Sequence, residues 1–172
     1  KRKGYVTACV GKWHLGFDWA LKDTAPADAA TSVFDAWGMR PQDHIEFSKA
    51  LNGGPLENGF DYFFGILSGG ADYISYQGTN GTRAHDLYEN EVKIYPQGYL
   101  TDLLTQKSVD FIKQKHSKPF FLSINFNAPH WPWQGPSDPA YPDSVGFTEG
   151  GSAFVYAAMM KSLDDGIGKI MQ

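Results

Sequence analysis

Two short, almost unbroken apolar runs, Tyr5–Val10 and Phe120–Phe126, stand far apart in a chain of 172 residues. Neither run alternates regularly between polar and apolar residues. Both therefore suit strands covered on both faces of a sheet, the second apolar enough to be central. Between them the pattern turns helical: Leu100, Leu103, Leu104, Phe111 and Ile112 recur at helical spacing. Thr101 or Asp102 sits near the start and Lys113, Lys115 and His116 at the end, a charge order that complements the helix dipole. A last helix places Tyr156, Met159, Met160, Leu163, Ile167 and Ile170 along one face, the stripe expected of a helix packed on a core. Helix, buried strand, loop and helix in succession predict an α/β layered fold.

The remaining segments are less regular. Residues 17–59 are polar, rich in Ala, Asp, Gly and Asn, and read as long connecting structure; such loops are often functional. Phe60–Gly65 is a short aromatic strand candidate, and 77–98 reads as a surface excursion with a hairpin around Asn80-Gly81, a dipeptide suited to tight turns. A loop rich in proline and tryptophan follows at 129–142. There is no internal repeat and no low-complexity segment.

The first apolar run stops at Gly11 and is followed by Lys12 and His14. Alternate residues of an extended segment point the same way, so both side chains can face one pocket. Lysine brings a fixed positive charge and histidine a proton that moves near neutral pH. The pair suits a tetrahedral oxyanion, sulfate or phosphate; it also fits a strand, a glycine turn and two solvated side chains. His130 follows the second run. Ligands of open α/β sheets bind beyond the carboxyl ends of the strands. If the two runs are parallel neighbours, Lys12, His14 and His130 meet at one rim.

Gly4, Tyr5, Thr7, Gly11, Lys12, Trp13 and His14 form a stretch that resembles a signature of the type I, formylglycine-dependent sulfatases. The run Pro119–Phe126 with Ala128, Pro129, His130, Trp131 and Pro132 is similar to that family's strand and following Pro-His segment. Met159, Met160, Leu163, Asp164, Asp165 and Ile167 look like the helix before its metal-binding strand. The blocks occur in the family's order and span essentially the whole chain. The resemblance implies an alkaline-phosphatase-like layered sheet with flanking helices and hydrolysis of the sulfate ester of a sulfated carbohydrate, the expected partner being a sulfated small molecule or polysaccharide. It implies that Lys12 holds the sulfate and positions the nucleophile, and that His14 contacts the nucleophile's gem-diol and assists its regeneration. His130 then serves as sulfate binder or general acid. Phosphodiesterases and phosphonate hydrolases of the same superfamily, and a non-catalytic relative that only binds sulfated carbohydrate, remain alternatives. A periplasmic, secreted or lysosome-like location is expected from the family.

Around this rim, Trp131 and Trp133, with Tyr141, offer flat faces to a sugar ring or serve to stiffen the loop. Asp72 is a candidate pocket-lining residue, with a hairpin-edge aspartate as the alternative. His44, His85 and His116 have no motif context and are expected to be solvated; Asn80-Gly81-Thr82 matches a glycosylation acceptor pattern.

The resemblance also implies parts that are missing. The family's nucleophile is made from cysteine or serine in a Cys/Ser-x-Pro-x-Arg context. Cys9 is followed by Val10, Gly11 and Lys12; Ser117 and Ser137 have Phe121 and Tyr141 where arginine belongs. Cys9, inside an apolar run, reads as a buried structural thiol. The family's cation, usually calcium, needs oxygen ligands, an aspartate pair and an Asp-Asn. The only adjacent aspartates, Asp164-Asp165, fall in the last helix, and no Asp-Asn occurs. With Lys1 first and Gln172 inside a helical pattern, the chain is expected to be the central part of one catalytic domain. On that expectation it is incomplete at both ends, with nucleophile and metal ligands outside it and no complete metal site of its own. A formal net charge of −4 argues against nucleic acid, and no apolar run approaches the about 20 residues that span a bilayer. Oligomeric state is left open.

Overall fold

The computed structural model describes residues 4–14, 20–25, 46, 49, 52–78, 85–141 and 151–172. The first apolar run forms β1 (Val6–Gly11), whose Ala8, Cys9 and Val10 are wholly buried. The aromatic segment forms β2 (Tyr62–Gly65), followed by a hairpin of β3 (Tyr88–Glu89) and β4 (Val92–Lys93). Helix α1 (Leu100–Lys113), strand β5 (Phe120–Asn125) and helix α2 (Ala153–Ile170) complete the order. The sheet runs β4-β3-β2-β1-β5, with β1 parallel to both β2 and β5 and the β2-β3-β4 edge antiparallel. An α/β layered sheet is thus what the two apolar runs build.

Successive β1 residues point to opposite faces, and each face has its own core. Val10 and Phe64 join Leu100, Leu104 and Met159 under the helices; Cys9 and Phe63 join Leu67 and Tyr88, with Trp13, Leu56 and Phe60 packed against them. Helix α1 lies on β1, β2 and β5, and α2 packs against α1. Both helices therefore serve one face, and loop residues cover the other among the described residues.

Several expectations are corrected. β5 is not central: among the described residues it pairs with β1 alone, and Phe120 and Phe121 remain 38% and 54% exposed. Their rings pack sideways instead, Phe120 on Phe111 and His116 and Phe121 on Phe60. The inward face of α2 is also different. Met159 and Gly166 are buried, with Val155 and Leu163 packed on the core, while Tyr156, Met160 and Ile167 stay exposed. The helix carries two apolar stripes, and α1 covers the one containing glycine.

The β3–β4 hairpin turns at Asn90, which adopts a left-handed φ of 55°. Asn80, Gly81 and Thr82 lie outside the described residues, although the flanking Gln77 and His85 meet in an isolated antiparallel bridge. His44 is also outside them. Nor are the other two solvated: His85 bonds to the Ile94 carbonyl and stacks on Tyr95, and His116 bonds to the Phe111 carbonyl beyond the end of α1. Of 17–59, the described residues contain no helix or extended strand.

The α1–α2 contact gives a test. A Cβ on Gly166 would lie 2.4 Å from Thr105 Oγ1, and Thr105 is stiff at χ1. Gly166→Ala is expected to destabilise by roughly 1–3 kcal/mol. In a Thr105→Ala background the same change becomes favourable by about 0.5–1 kcal/mol, because alanine is the better helix former. Thermal midpoints of the single and double variants check the change of sign.

Candidate active site

The carboxyl ends of β1, β2 and β5 form one rim. Gly11 stands opposite Asn125 in register, and the pairing continues past the strand: Lys12 N–H donates to the Asn125 carbonyl at 2.7 Å. On the other side, Trp13 N–H donates to Ile66 O at 2.9 Å and His14 N–H to Leu67 O at 3.1 Å. The segment after β1 is therefore held from both neighbours. Two glycines make this closeness possible. A Cβ on Gly11 would sit 2.0 Å from the Asn125 carbonyl oxygen, and one on Gly65 would sit 1.9 Å from that of Gly11.

His14 is presented by a backbone φ of 61°, a left-handed conformation that costs a non-glycine residue roughly 1–2 kcal/mol. Its ring lies over Gly69, whose absent Cβ would come within 2.9 Å of the ring. Partial burial first, then the nearby Lys12 and His130, hold the imidazole below its usual protonation range. At neutral pH His14 is therefore a neutral ring, able to accept a proton. Lys12 is half-buried, and burial lowers its pKa too. Lys12 and His130 both lie near enough to His14 to disfavour its charge, and all three follow the carboxyl ends of the paired strands β1 and β5.

His130 is reached through the loop after β5. Its backbone N–H donates to Asn127 O at 2.9 Å, and Nδ1 lies 2.7 Å from the Trp131 carbonyl. The loop is tied to the core from below. The buried Tyr73 hydroxyl donates to the His130 carbonyl at 3.1 Å, and the Tyr73 ring stacks on Tyr99. Gln134, wholly buried, accepts from Tyr73 N–H at 2.7 Å and donates to Asp72 at 3.1 Å and to Pro139 O at 2.7 Å.

Asp72 does not join the rim as a pocket-lining group. It is 5% exposed, and its oxygens accept from the backbone of Ile74, Ser75 and Tyr141 and from Gln134. With its lone pairs so engaged, this carboxylate braces the loop. Trp131 and Trp133 are stacked on each other at 4.3 Å and 5° between planes, and Tyr156 backs Trp133 at 5.0 Å. Cys9 is buried, receives the Asn125 amide at 3.5 Å, and has its thiol pushed up to about 11 by burial. A thiol so placed is inert as a nucleophile.

Among the described residues, no group of three or more His, Cys, Asp or Glu converges on one point. Asp164 and Asp165 are exposed on α2, the latter paired with Lys161 at 2.5 Å. No helix among the described residues is long and apolar enough to cross a membrane.

What the rim can do chemically is bind a tetrahedral anion through Lys12 and His130 beside a neutral His14. Known proteins resemble this chain over nearly its whole length. The uncharacterized sulfatase YdeN of Escherichia coli is 29% identical over 98% of this chain and 27% of its own length. Mouse arylsulfatase J is 33% identical over 97% of this chain and 23% of its own. Human N-acetylgalactosamine-6-sulfatase is 28% identical over the whole chain and 27% of its own. The chain thus spans about a quarter of the length of these curated relatives. Among solved structures, Ps i-CgsB in complex with k-i-k-neocarrahexaose superposes with a TM-score of 0.62 at 23% identity, over 99% of this chain and 34% of that one, a likeness of fold. The Sulfatase family pattern matches from residue 1 to residue 172, so the rim at the ends of β1 and β5 is that of a chain belonging to the Sulfatase family.

Proposed function

We propose that the full-length protein hydrolyses a sulfate ester, and that Lys12, His14 and His130 of this chain form part of its anion site. The supporting observation is that these residues follow the carboxyl ends of two parallel neighbouring strands, with Lys12 and His130 both bearing on the charge of His14, in a member of the Sulfatase family. Lys12 neutralises non-bridging sulfuryl oxygens from a half-buried position, where a fixed charge is worth more than in water. His130 contacts the sulfate or gives a proton to the departing alcohol oxygen. His14, neutral at physiological pH, accepts a proton. The nucleophile, by family resemblance a formylglycine, and the ligands of a calcium ion are proposed to come from residues other than those described; no step is assigned to the ion.

The proposed substrate class is a sulfated carbohydrate. It is supported by the name of the human relative, N-acetylgalactosamine-6-sulfatase, and by the stacked Trp131–Trp133 pair beside His130. Since Trp133 occupies one face of Trp131, a sugar ring must use the other. Trp131→Ala is expected to raise KM for a sulfated oligosaccharide about tenfold while leaving a small aryl sulfate nearly unaffected. Equal effects on both substrates would remove the tryptophan from the subsite.

The activity itself is tested by supplying the full-length protein with an aryl sulfate and the matching aryl phosphate, each with and without added calcium. Sulfate release in excess of phosphate release is expected. Preferred release of phosphate would make the protein a phosphoryl hydrolase. Binding of sulfated oligosaccharide without release of either anion would make it a non-catalytic binder.

A further inference from the structure

A second aspartate, which no sequence signal singled out, is more deeply buried than Lys12, His14 or His130. Asp86 is 5% exposed and lies just before the β3–β4 hairpin, anchored by its own N–H to the Tyr76 carbonyl at 2.8 Å and by the wholly buried Leu87. Its carboxylate reaches across to the segment after β2. Oδ1 accepts from Leu67 N–H at 3.2 Å, Oδ2 accepts from Ser68 N–H at 2.9 Å, and the Ser68 hydroxyl donates to Oδ2 as well. Burial pushes the carboxyl up to about 6, opposed by the Ser68 and Leu67 donors and by Lys93. A buried carboxylate costs folding free energy unless its donors serve it well. Here all three donors belong to one short peptide.

That peptide is the one on which His14 rests. The Leu67 carbonyl accepts His14 N–H at 3.1 Å, and Gly69, one residue beyond Ser68, underlies the imidazole with room for no Cβ. His14 itself sits at a φ of 61°, a conformation that persists only when its surroundings impose it. We propose that Asp86 is a positioning residue for His14: by gripping the amides of Leu67 and Ser68 it fixes the peptide that holds the His14 backbone and supports its ring. The functional consequence rests on the anion-site reading above; the structural one does not. A displacement of about 1 Å at a reacting group can cost up to about 100-fold in rate, so a brace one layer below the rim matters.

The test uses the full-length protein labelled with 15N-histidine, in which the His14 imidazole resonances are assigned from a His14→Gln variant. Asp86→Ala is expected to shift those resonances and to lower kcat for an aryl sulfate about tenfold with KM changed less than about twofold. Asp86→Asn, which keeps one acceptor oxygen for Ser68, is expected to lie between Asp86→Ala and the wild type in both readouts. Ser68→Ala, which removes only the hydroxyl, serves if Asp86→Ala does not fold, and is expected to give a smaller shift of the same sign. Gly69→Ala, which displaces the ring directly, shows how large a visible displacement is. His14 resonances left in place by all three brace variants, in folded protein, would overturn the proposal. If the wild type releases no sulfate but the resonances move as expected, the positioning role stands and the catalytic reading fails.

Discussion

Lys12→Ala in the full-length protein is expected to lower kcat/KM for an aryl sulfate about 10²–10³-fold, the scale of removing one preorganised donor from developing negative charge. The lysine is half-buried, with burial already disfavouring its charge. An anion bound opposite it would offset that penalty. Lys12→Arg keeps the charge but replaces a compact ammonium by a planar fork, and is expected to recover only a small part of the loss. His130→Ala is expected to fall in the same range, with the steeper loss on substrates whose leaving alcohol is a poor leaving group and needs a proton. Lys113, exposed in the last turn of α1, is the control, and its alanine variant should leave kcat/KM unchanged. Activity preserved in both Lys12→Ala and His130→Ala would remove the proposed site.

The largest effect on stability is expected from Gly11→Ala. The added carbon would lie 2.0 Å from the Asn125 carbonyl oxygen and 2.5 Å from its carbon, and Gly11 has a φ of 119°. The neighbour is backbone, not the end of a flexible side chain, so relief requires β1 and β5 to part where they are hydrogen-bonded. A loss of about 3 kcal/mol or more is expected, from overpacking and backbone strain together. Gly4→Ala separates the two causes. Gly4 also has a positive φ, 76°, but nothing within 4 Å of a Cβ, so it is expected to cost only about 1 kcal/mol. Thermal unfolding of the two variants measures the difference. Because Lys12 N–H bonds to that same Asn125 carbonyl, Gly11→Ala also displaces the lysine, and activity should fall further than the loss of stability explains.

The parts of the fold legible in the sequence are those written as local periodicity. The run at β1, the leucines of α1 and the run at β5 each state an element within a few neighbouring residues. Their parallel pairing then sets the segments that carry Lys12, His14 and His130 at the same edge of the sheet, because each follows the carboxyl end of its strand. What was not legible depends on distant partners. β3 and β4 are only two residues each, too short for any period to register. The α2 stripe was misread because Met159 and Met160 belong to different faces, and the choice between them rests on Thr105 meeting Gly166. Asp72, Asp86 and Gln134 are polar residues in irregular segments, and only the fold reveals that they are buried. Gly11 and Gly65 could be read as strand ends; their close approach to neighbouring backbone could not.

The most direct measurement is a crystal structure of the full-length protein soaked with inorganic sulfate, beside one of the Lys12→Ala variant. A sulfate within hydrogen-bonding distance of Lys12 Nζ and the His130 ring, beside His14, and absent from the variant, is the predicted result. A sulfate bound elsewhere in both crystals, with the rim between β1 and β5 filled only by water, would contradict the assignment of these residues to the anion site.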